Sequence, residues 1–205
     1  MAGPALMRGG KFRRLTMMRK NTSDPLRGQA QTLVAAADAA AGWFRAQTPS
    51  ALSAARTARL RCRGWRQEAV AAARTRRGPV KADISDLSFS LREAVEHAVA
   101  AVCEAARLET PPDADLADAA GDLGLSARAL ARAASVKGEP RAEALVESKR
   151  HASEAGRRCR AVRAEANGSH LIIESIKRSE IAGLLSSAAE AVQQACDALA
   201  GSLSE

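Results

Sequence analysis

The stretch GPVKADISDLSFSLREAVEHAVAAV, residues 78–102, decides the fold class of this chain. Beyond the Gly-Pro pair, apolar residues recur every three or four positions, which is the period of an α-helix with one buried face. The predicted buried positions are Ile84, Leu87, Leu91, Val95, Ala98, Val102 and Ala105. A helix with such a stripe must pack against a partner element.

The composition of the whole chain favours the same secondary structure. The chain has 205 residues, and 46% of them are hydrophobic, which is enough for a core. Most of these are alanine, the strongest helix former, whereas there are only three Phe, two Trp and no Tyr. Strands prefer β-branched and aromatic residues. We therefore expect an all-α protein with close helix–helix contacts in its core.

Capping residues and stop sequences divide the chain into a basic N-terminal arm, residues 1–21, and one helical domain, residues 22–205. Gly78-Pro79 marks the end of one helix, because glycine and proline favour helix termini. The six predicted helices span residues 25–48, 50–76, 84–108, 115–135, 141–166 and 171–203, each approximately.

Finer features are predicted within these helices. Asp83 is expected to cap the third helix, and the GDLG of residues 121–124 is expected to interrupt the fourth. The sixth helix has its own apolar stripe, formed by Ile173, Ile176, Ile181, Leu184, Leu185, Ala188, Val192, Ala195 and Leu199. No apolar run reaches the roughly 18 residues of a membrane span.

A faint internal repeat relates the third and sixth helices. Leu91-Arg92-Glu93-Ala94-Val95-Glu96 aligns with Leu185-Ser186-Ser187-Ala188-Ala189-Glu190 through shared leucine, alanine and glutamate. The repeat suggests two similar three-helix units in one chain.

The same segments resemble a known family. Residues 78–102, the closing segment from Ala166 to Leu203 and the first helix are similar to the PhoU-like phosphate-transport regulators, in the short branch found beside Pit-type phosphate transporters. The most specific matches are Asp83-Ile84, Ser90-Leu91, Ile176-Lys177 and Glu180-Ile181. The resemblance implies a PhoU-like six-helix architecture of two pseudo-symmetric three-helix bundles.

The resemblance also implies where a metal site would lie. In the family, carboxylates spaced four residues apart on facing helices bind a multinuclear metal cluster, because that spacing places two oxygen ligands on one helix face. At the matching positions this chain has Arg92, Glu93 and Glu96 in the third helix and Ser186, Ser187 and Glu190 in the sixth. Most ligands are therefore replaced, and we expect neither a metal cluster nor another cofactor.

Arginines of the second helix offer a replacement for the missing metal bridges. Arg56, Arg59, Arg63 and Arg66 recur at three- and four-residue steps and form one stripe. Because a guanidinium group can bind a carboxylate through two hydrogen bonds, the stripe is a candidate partner for Glu93 and Glu96. The alternative is that the stripe faces water. With Arg92 and Glu190, these residues are candidates for ion pairing or anion binding.

The formal net charge of +8 favours anionic partners in general. A broad basic surface is predicted from Arg13 and Arg14 in the arm and Arg157 and Arg160 in the fifth helix. Such a surface could bind nucleic acid through backbone phosphates. However, aromatic residues for base stacking are scarce, so nucleic-acid binding is less favoured than binding of a protein or of a small anion.

Motifs for catalysis are missing from the sequence. His97 follows Glu96 without a second histidine one turn later, and neither a nucleophile elbow nor a glycine-rich phosphate loop occurs. The four cysteines form no paired spacing for zinc or redox chemistry. We assign no catalytic residue and expect a cytoplasmic protein, because the N-terminus has no apolar signal segment.

Two functional classes remain open. The first is a metal-free regulatory protein of PhoU-like type, which docks its helical faces on a transporter, a kinase or another partner, or on a second copy of itself. The second is a protein of similar fold recruited to bind an anionic small molecule, or to act on one as a biosynthetic enzyme.

Overall fold

The computed structural model describes residues 23–74, 79–167 and 172–201. All regular structure in these ranges is helical, which confirms the predicted all-α class. The six helices are α1 (Ser23–Ala46), α2 (Pro49–Ala73), α3 (Pro79–Arg107), α4 (Ala114–Ala133), α5 (Glu139–Asn167) and α6 (Ile172–Gly201). None of them, within these ranges, combines the length and apolarity needed to cross a membrane.

The helices pack in the same order in the two halves of the chain. In the first half α2 lies against α1 and α3, and in the second half α5 lies against α4 and α6. The halves join through two further contacts, α1 against α4 and α3 against α6. One difference separates them: α1 packs extensively on α3, whereas α4 touches α6 only slightly.

The core runs through both halves and consists largely of alanine. Alanines 36, 37, 39, 40 and 41 of α1 are buried within the chain, and so is every position of the predicted stripe of α3. Small side chains let the helix axes approach closely, which gives dense packing despite the shortage of aromatic rings. The alanine-rich face of α1 therefore serves the internal core.

Local sequence explains where the helices begin. Thr48 caps α2, with Pro49 next, and its side-chain oxygen accepts a hydrogen bond from the Ala51 amide. Asp113 caps α4 and accepts from the amides of Asp115 and Leu116, both at 3.0 Å. The Asp113 amide in turn donates to the Phe44 carbonyl at 2.8 Å, which joins the end of α1 to the start of α4.

Three expectations about the helices are wrong. Asp83 is not the cap of α3, because the helix begins at Pro79, where the missing amide hydrogen of proline has no helical acceptor to lose. The GDLG of residues 121–124 does not interrupt α4. A Cβ at Gly124 would lie 3.7 Å from the Ala37 Cβ, so this glycine sits where α1 and α4 approach, and packing offsets its low helix propensity.

The third correction concerns the apolar stripe of α6. Its later members are buried except Leu184, which is partly buried, but Ile173 and Ile176 are 70% and 61% exposed. Arg107, in the last turn of α3, lies within electrostatic range of Glu180 on α6. The turns of α6 that precede Glu180 therefore extend past the end of α3, so α3 does not cover these isoleucines.

Candidate functional site

Two arginines of α2 converge on one carboxylate of α3. Arg59 Nε lies 2.5 Å from Glu96 Oε2, and Arg63 Nε lies 3.7 Å from Glu96 Oε1. The two arginines are one helical turn apart and project toward the same neighbour, because α2 packs along α3. The structure thus brings Arg59 and Arg63 of the arginine stripe to Glu96, whereas Arg56 and Arg66 form no ion pair with a described residue.

Glu93 is paired within its own helix. Its carboxylate forms an ion pair with Arg92, and His97 Nε2 lies 3.8 Å from its Oε2 atom. The Arg92 guanidinium also lies 5.1 Å from the centroid of the Phe89 ring, a cation–π distance. Arg92 is therefore positioned by a carboxylate and an aromatic ring on one helix, and the α2 arginines pair with Glu96 instead of Glu93.

A cleft of about 600 Å³ lies between α2 and α3 beside these ion pairs. We call it the basic cleft. Its lining residues are Arg63, Arg66, Gln67, Val70, Ala71, Arg74, Arg92 and Glu96. Four guanidinium groups thus face one carboxylate, and that carboxylate already binds Arg59 and Arg63. The basic cleft has an excess of positive charge.

Some donors of the basic cleft have no partner among the residues that the structure describes. Arg66 and Arg74 form no ion pair there, and the Nε atom of Arg92 is buried without a hydrogen-bond acceptor. A buried donor without an acceptor costs free energy, and such groups are rare in folded proteins. The basic cleft is therefore suited to a ligand that supplies acceptors.

A small cluster of polar side chains is buried between α1, α2 and α3. Gln29 Nε2 donates to the Ser88 carbonyl at 3.2 Å, while Gln29 Oε1 and Ser88 Oγ are buried without partners. The Cys62 thiol lies beside Gln29, and burial raises its pKa to about 11. This thiol stays protonated near neutral pH, so it is a poor nucleophile.

The other predicted site residues lie apart from this cluster. Glu190 contacts Ser186 of its own helix at 3.5 Å and forms no ion pair with any described residue. Arg157 pairs with Glu154, which neutralises part of the expected basic surface, while Arg160 is exposed on the same helix. Arg13 and Arg14 lie outside the described residues.

The described residues contain no group of three or more His, Cys, Asp or Glu side chains arranged to bind a metal ion. In the second half, Arg158 binds Asp122 at 2.7 Å, and Arg178 binds Asp113 at 2.6 Å and Asp115 at 2.8 Å. Carboxylates there are neutralised by arginines, as Glu96 is in the first half.

Sequence reasoning missed several lining residues of the basic cleft. Arg74, Gln67 and Val70 were not predicted site residues, although Gln67 lies four residues after Arg63, and Val70 and Arg74 continue the four-residue spacing beyond Arg66. Extending that spacing to the end of α2 would have identified them.

Neither a scan against protein-family models nor a search of curated proteins finds a match for the chain. The class defined by fold and site is an all-α six-helix protein with a basic cleft, and its resemblance to the PhoU-like regulators stays a prediction.

Proposed function

We propose that the protein is a non-enzymatic, cytoplasmic binding protein of a regulatory kind, and that it takes up an anionic ligand in the basic cleft. The observation that supports this proposal is the arrangement of Arg63, Arg66, Arg74 and Arg92 around one cavity. Arginine stays protonated at physiological pH, so these groups bind negative charge without exchanging protons. Guanidinium groups also match the geometry of carboxylate and phosphate oxygens.

Neighbouring contacts preorganise the cleft for such a ligand. Arg92 is positioned by Glu93 and the Phe89 ring, and Arg63 is positioned by Glu96. Donors that are already oriented lose less conformational entropy on binding. An anion that binds between the guanidinium groups of Arg66 and Arg92 meets one arginine without a described carboxylate partner and one that pairs with Glu93 alone among the described residues.

A thermal-shift titration with inorganic phosphate and pyrophosphate at constant ionic strength tests the proposal. Ligand binding to the folded state raises its stability in proportion to the logarithm of ligand excess over Kd. We expect a concentration-dependent rise in Tm for the wild type and a smaller rise for Arg66→Ala and Arg92→Ala. Arg61→Ala is the matched control, because Arg61 is an exposed arginine of the same helix that does not line the basic cleft.

The control should respond as the wild type does. If Arg61→Ala and Arg66→Ala weaken the response equally, the effect reflects net charge and not the cleft. If neither phosphate compound nor any organic anion shifts the wild-type Tm, anion binding by this cleft is wrong.

A second candidate is a PhoU-like regulator that docks on a partner such as a phosphate transporter or a kinase. The repeated helix-packing order of the two halves favours it, because two similar three-helix units are what the sequence resemblance implies. The exposed Ile172, Ile173 and Ile176 at the start of α6 offer an apolar contact for a partner.

Phosphate uptake in cells tests this candidate. We expect deletion of the gene to change the uptake rate, and we expect wild-type protein, but not an Ile173→Ser, Ile176→Ser variant, to restore it. Both isoleucines are exposed, so the variant should fold. If uptake is the same with and without the protein, the regulator candidate fails.

A further inference from the structure

The basic cleft has a definite order of side chains along α2. Arg63, Arg66, Val70 and Arg74 follow one another at three- and four-residue steps, with Gln67 and Ala71 beside them, so all six lie on one face of the helix. Positive charge at Arg63 and Arg66 is followed by the apolar pair Val70 and Ala71, and then by the positive charge of Arg74. With a rise of 1.5 Å per residue, the Arg66 and Arg74 backbones are roughly 12 Å apart.

The charges that are free to bind a ligand lie at the two ends of this face. Arg63 is engaged by Glu96, whereas Arg66 and Arg74 form no ion pair with any residue in the described ranges. Across the cleft, Arg92 forms an ion pair with Glu93, but its Nε atom is buried without an acceptor. Arg66 and Arg92 both lie within electrostatic range of Cys62, which places them at the same end. Arg74 forms the other end.

Size and polarity limit what can fill this space. A cleft of about 600 Å³ falls within the range of organic small-molecule sites, which is roughly 300–1,000 Å³, and a lone oxyanion would leave much of it to water. Val70 is 36% exposed and is flanked by arginines, so an apolar part of a ligand would cover it. A purely inorganic anion makes no use of that surface.

On the basis of the proposed anion-binding function, we propose that the ligand is an organic dianion whose two anionic groups are separated by an apolar segment. One anionic group binds Arg66 and Arg92, the apolar segment lies over Val70 and Ala71, and the second anionic group binds Arg74. Both carboxylate and phosphate groups satisfy this arrangement, because each accepts two hydrogen bonds from a guanidinium.

A chain-length series of dicarboxylates measures the separation of the two anionic groups. The probes are succinate, adipate, suberate and sebacate, titrated by calorimetry at constant ionic strength, with octanoate as the singly charged counterpart and inorganic phosphate as a separate arm. We expect affinity to rise with chain length to a maximum and then fall. The best dicarboxylate should bind roughly tenfold more tightly than octanoate.

Two variants locate the second anionic group. Arg74→Gln should lower the affinity of the best dicarboxylate to that of octanoate while inorganic phosphate binds as before. Arg61→Gln, the matched change on the same helix, should leave the whole series unchanged. Both arginines are exposed, so neither variant should lose its fold.

The outcomes separate this inference from the function it rests on. If phosphate binds but affinity does not depend on chain length, or if Arg74→Gln leaves the length preference intact, the two-ended ligand is wrong and anion binding stands. If neither phosphate nor any dicarboxylate binds the wild type, the proposed function is wrong as well.

Discussion

At the residue scale, Gly28 shows most directly how closely the helices approach. A Cβ at this position would lie 2.5 Å from two atoms of the Trp65 ring, across the contact between α1 and α2. A Cβ at Gly64, beside Trp65 on α2, would meet no neighbouring atom within 4 Å. Gly64 is therefore a matched control for a change of glycine to alanine.

We expect Gly28→Ala to destabilise the protein by about 1–3 kcal/mol, because the rigid indole must move. Gly64→Ala should instead stabilise it by about 0.5–1 kcal/mol, since alanine loses less backbone entropy in a helix. Urea unfolding midpoints measure both. Equal stabilisation by the two substitutions would show that Trp65 is free to shift.

Burial of Cys62 makes the stability depend on alkaline pH. Burial raises its thiol pKa from 9.0 to about 11 in the folded chain. The unfolded chain therefore releases its proton first, so the contribution of this thiol is complete below pH 9.0 and is lost as pH rises toward 11. By that pH the loss should be about 2 kcal/mol.

The comparison is between wild type and Cys62→Ala, each unfolded in urea at neutral and at alkaline pH. The variant should lose less stability than the wild type over that interval, and its constant packing defect cancels in the difference. The idea fails if the two proteins have the same pH dependence.

The spacing of charged residues along a helix determines how much of the candidate site can be predicted from the sequence. The three- and four-residue recurrence of arginines placed Arg59, Arg63 and Arg66 on one face of α2, and the structure brings the first two to Glu96. Sequence alone left open whether that face met α3 or water, since helix rotation is decided by tertiary packing. The pairing of Glu93 within its own helix was not foreseen for the same reason.

At the scale of elements, Arg178 joins three helices. It contacts Asp113 at the start of α4 at 2.6 Å, Asp115 at 2.8 Å and Glu165 of α5 at 3.2 Å. The hydrogen bond to Asp113 is the main cause of the raised pKa of Arg178. Since Asp113 also caps α4, this contact fixes the start of one helix to the side of another.

We expect Arg178→Met to lower the free energy of unfolding by about 2 kcal/mol, because it leaves a half-buried carboxylate without its cation. Lys177→Met is the control, since among the described residues Lys177 pairs only with the neighbouring Glu174, and its loss should cost less than about 0.5 kcal/mol. Chemical denaturation measures both. Equal losses of unfolding free energy would show that the contacts of Arg178 with α4 and α5 do not stabilise the protein.

Helix number and approximate bounds were predictable because periodicity and capping are local. The continuity of α4 was not predictable, because the packing of Gly124 against α1 offsets the low helix propensity of glycine. The exposure of Ile176 was missed for a similar reason: a stripe predicts burial only where a neighbouring helix is long enough to cover it.

At the scale of the whole molecule, two three-helix units share one core. Buried residues of all six helices form one continuous cluster, joined where α1 meets α4 and α3 meets α6. Neither half can expose these faces without leaving a large apolar surface in water. The halves should therefore unfold together.

The positions of the two tryptophans make this testable without a label. Trp43 and Trp65 both lie in the first half, so fluorescence reports on that half, while far-UV circular dichroism reports on all six helices. We expect the two signals to give the same urea midpoint.

Leu185→Ala, a substitution at a buried position of α6, should lower the free energy of unfolding by about 2–5 kcal/mol. It should shift the fluorescence midpoint as far as the dichroism midpoint, although no tryptophan is in that half. If Leu185→Ala leaves the fluorescence midpoint unchanged, the two halves unfold as independent units.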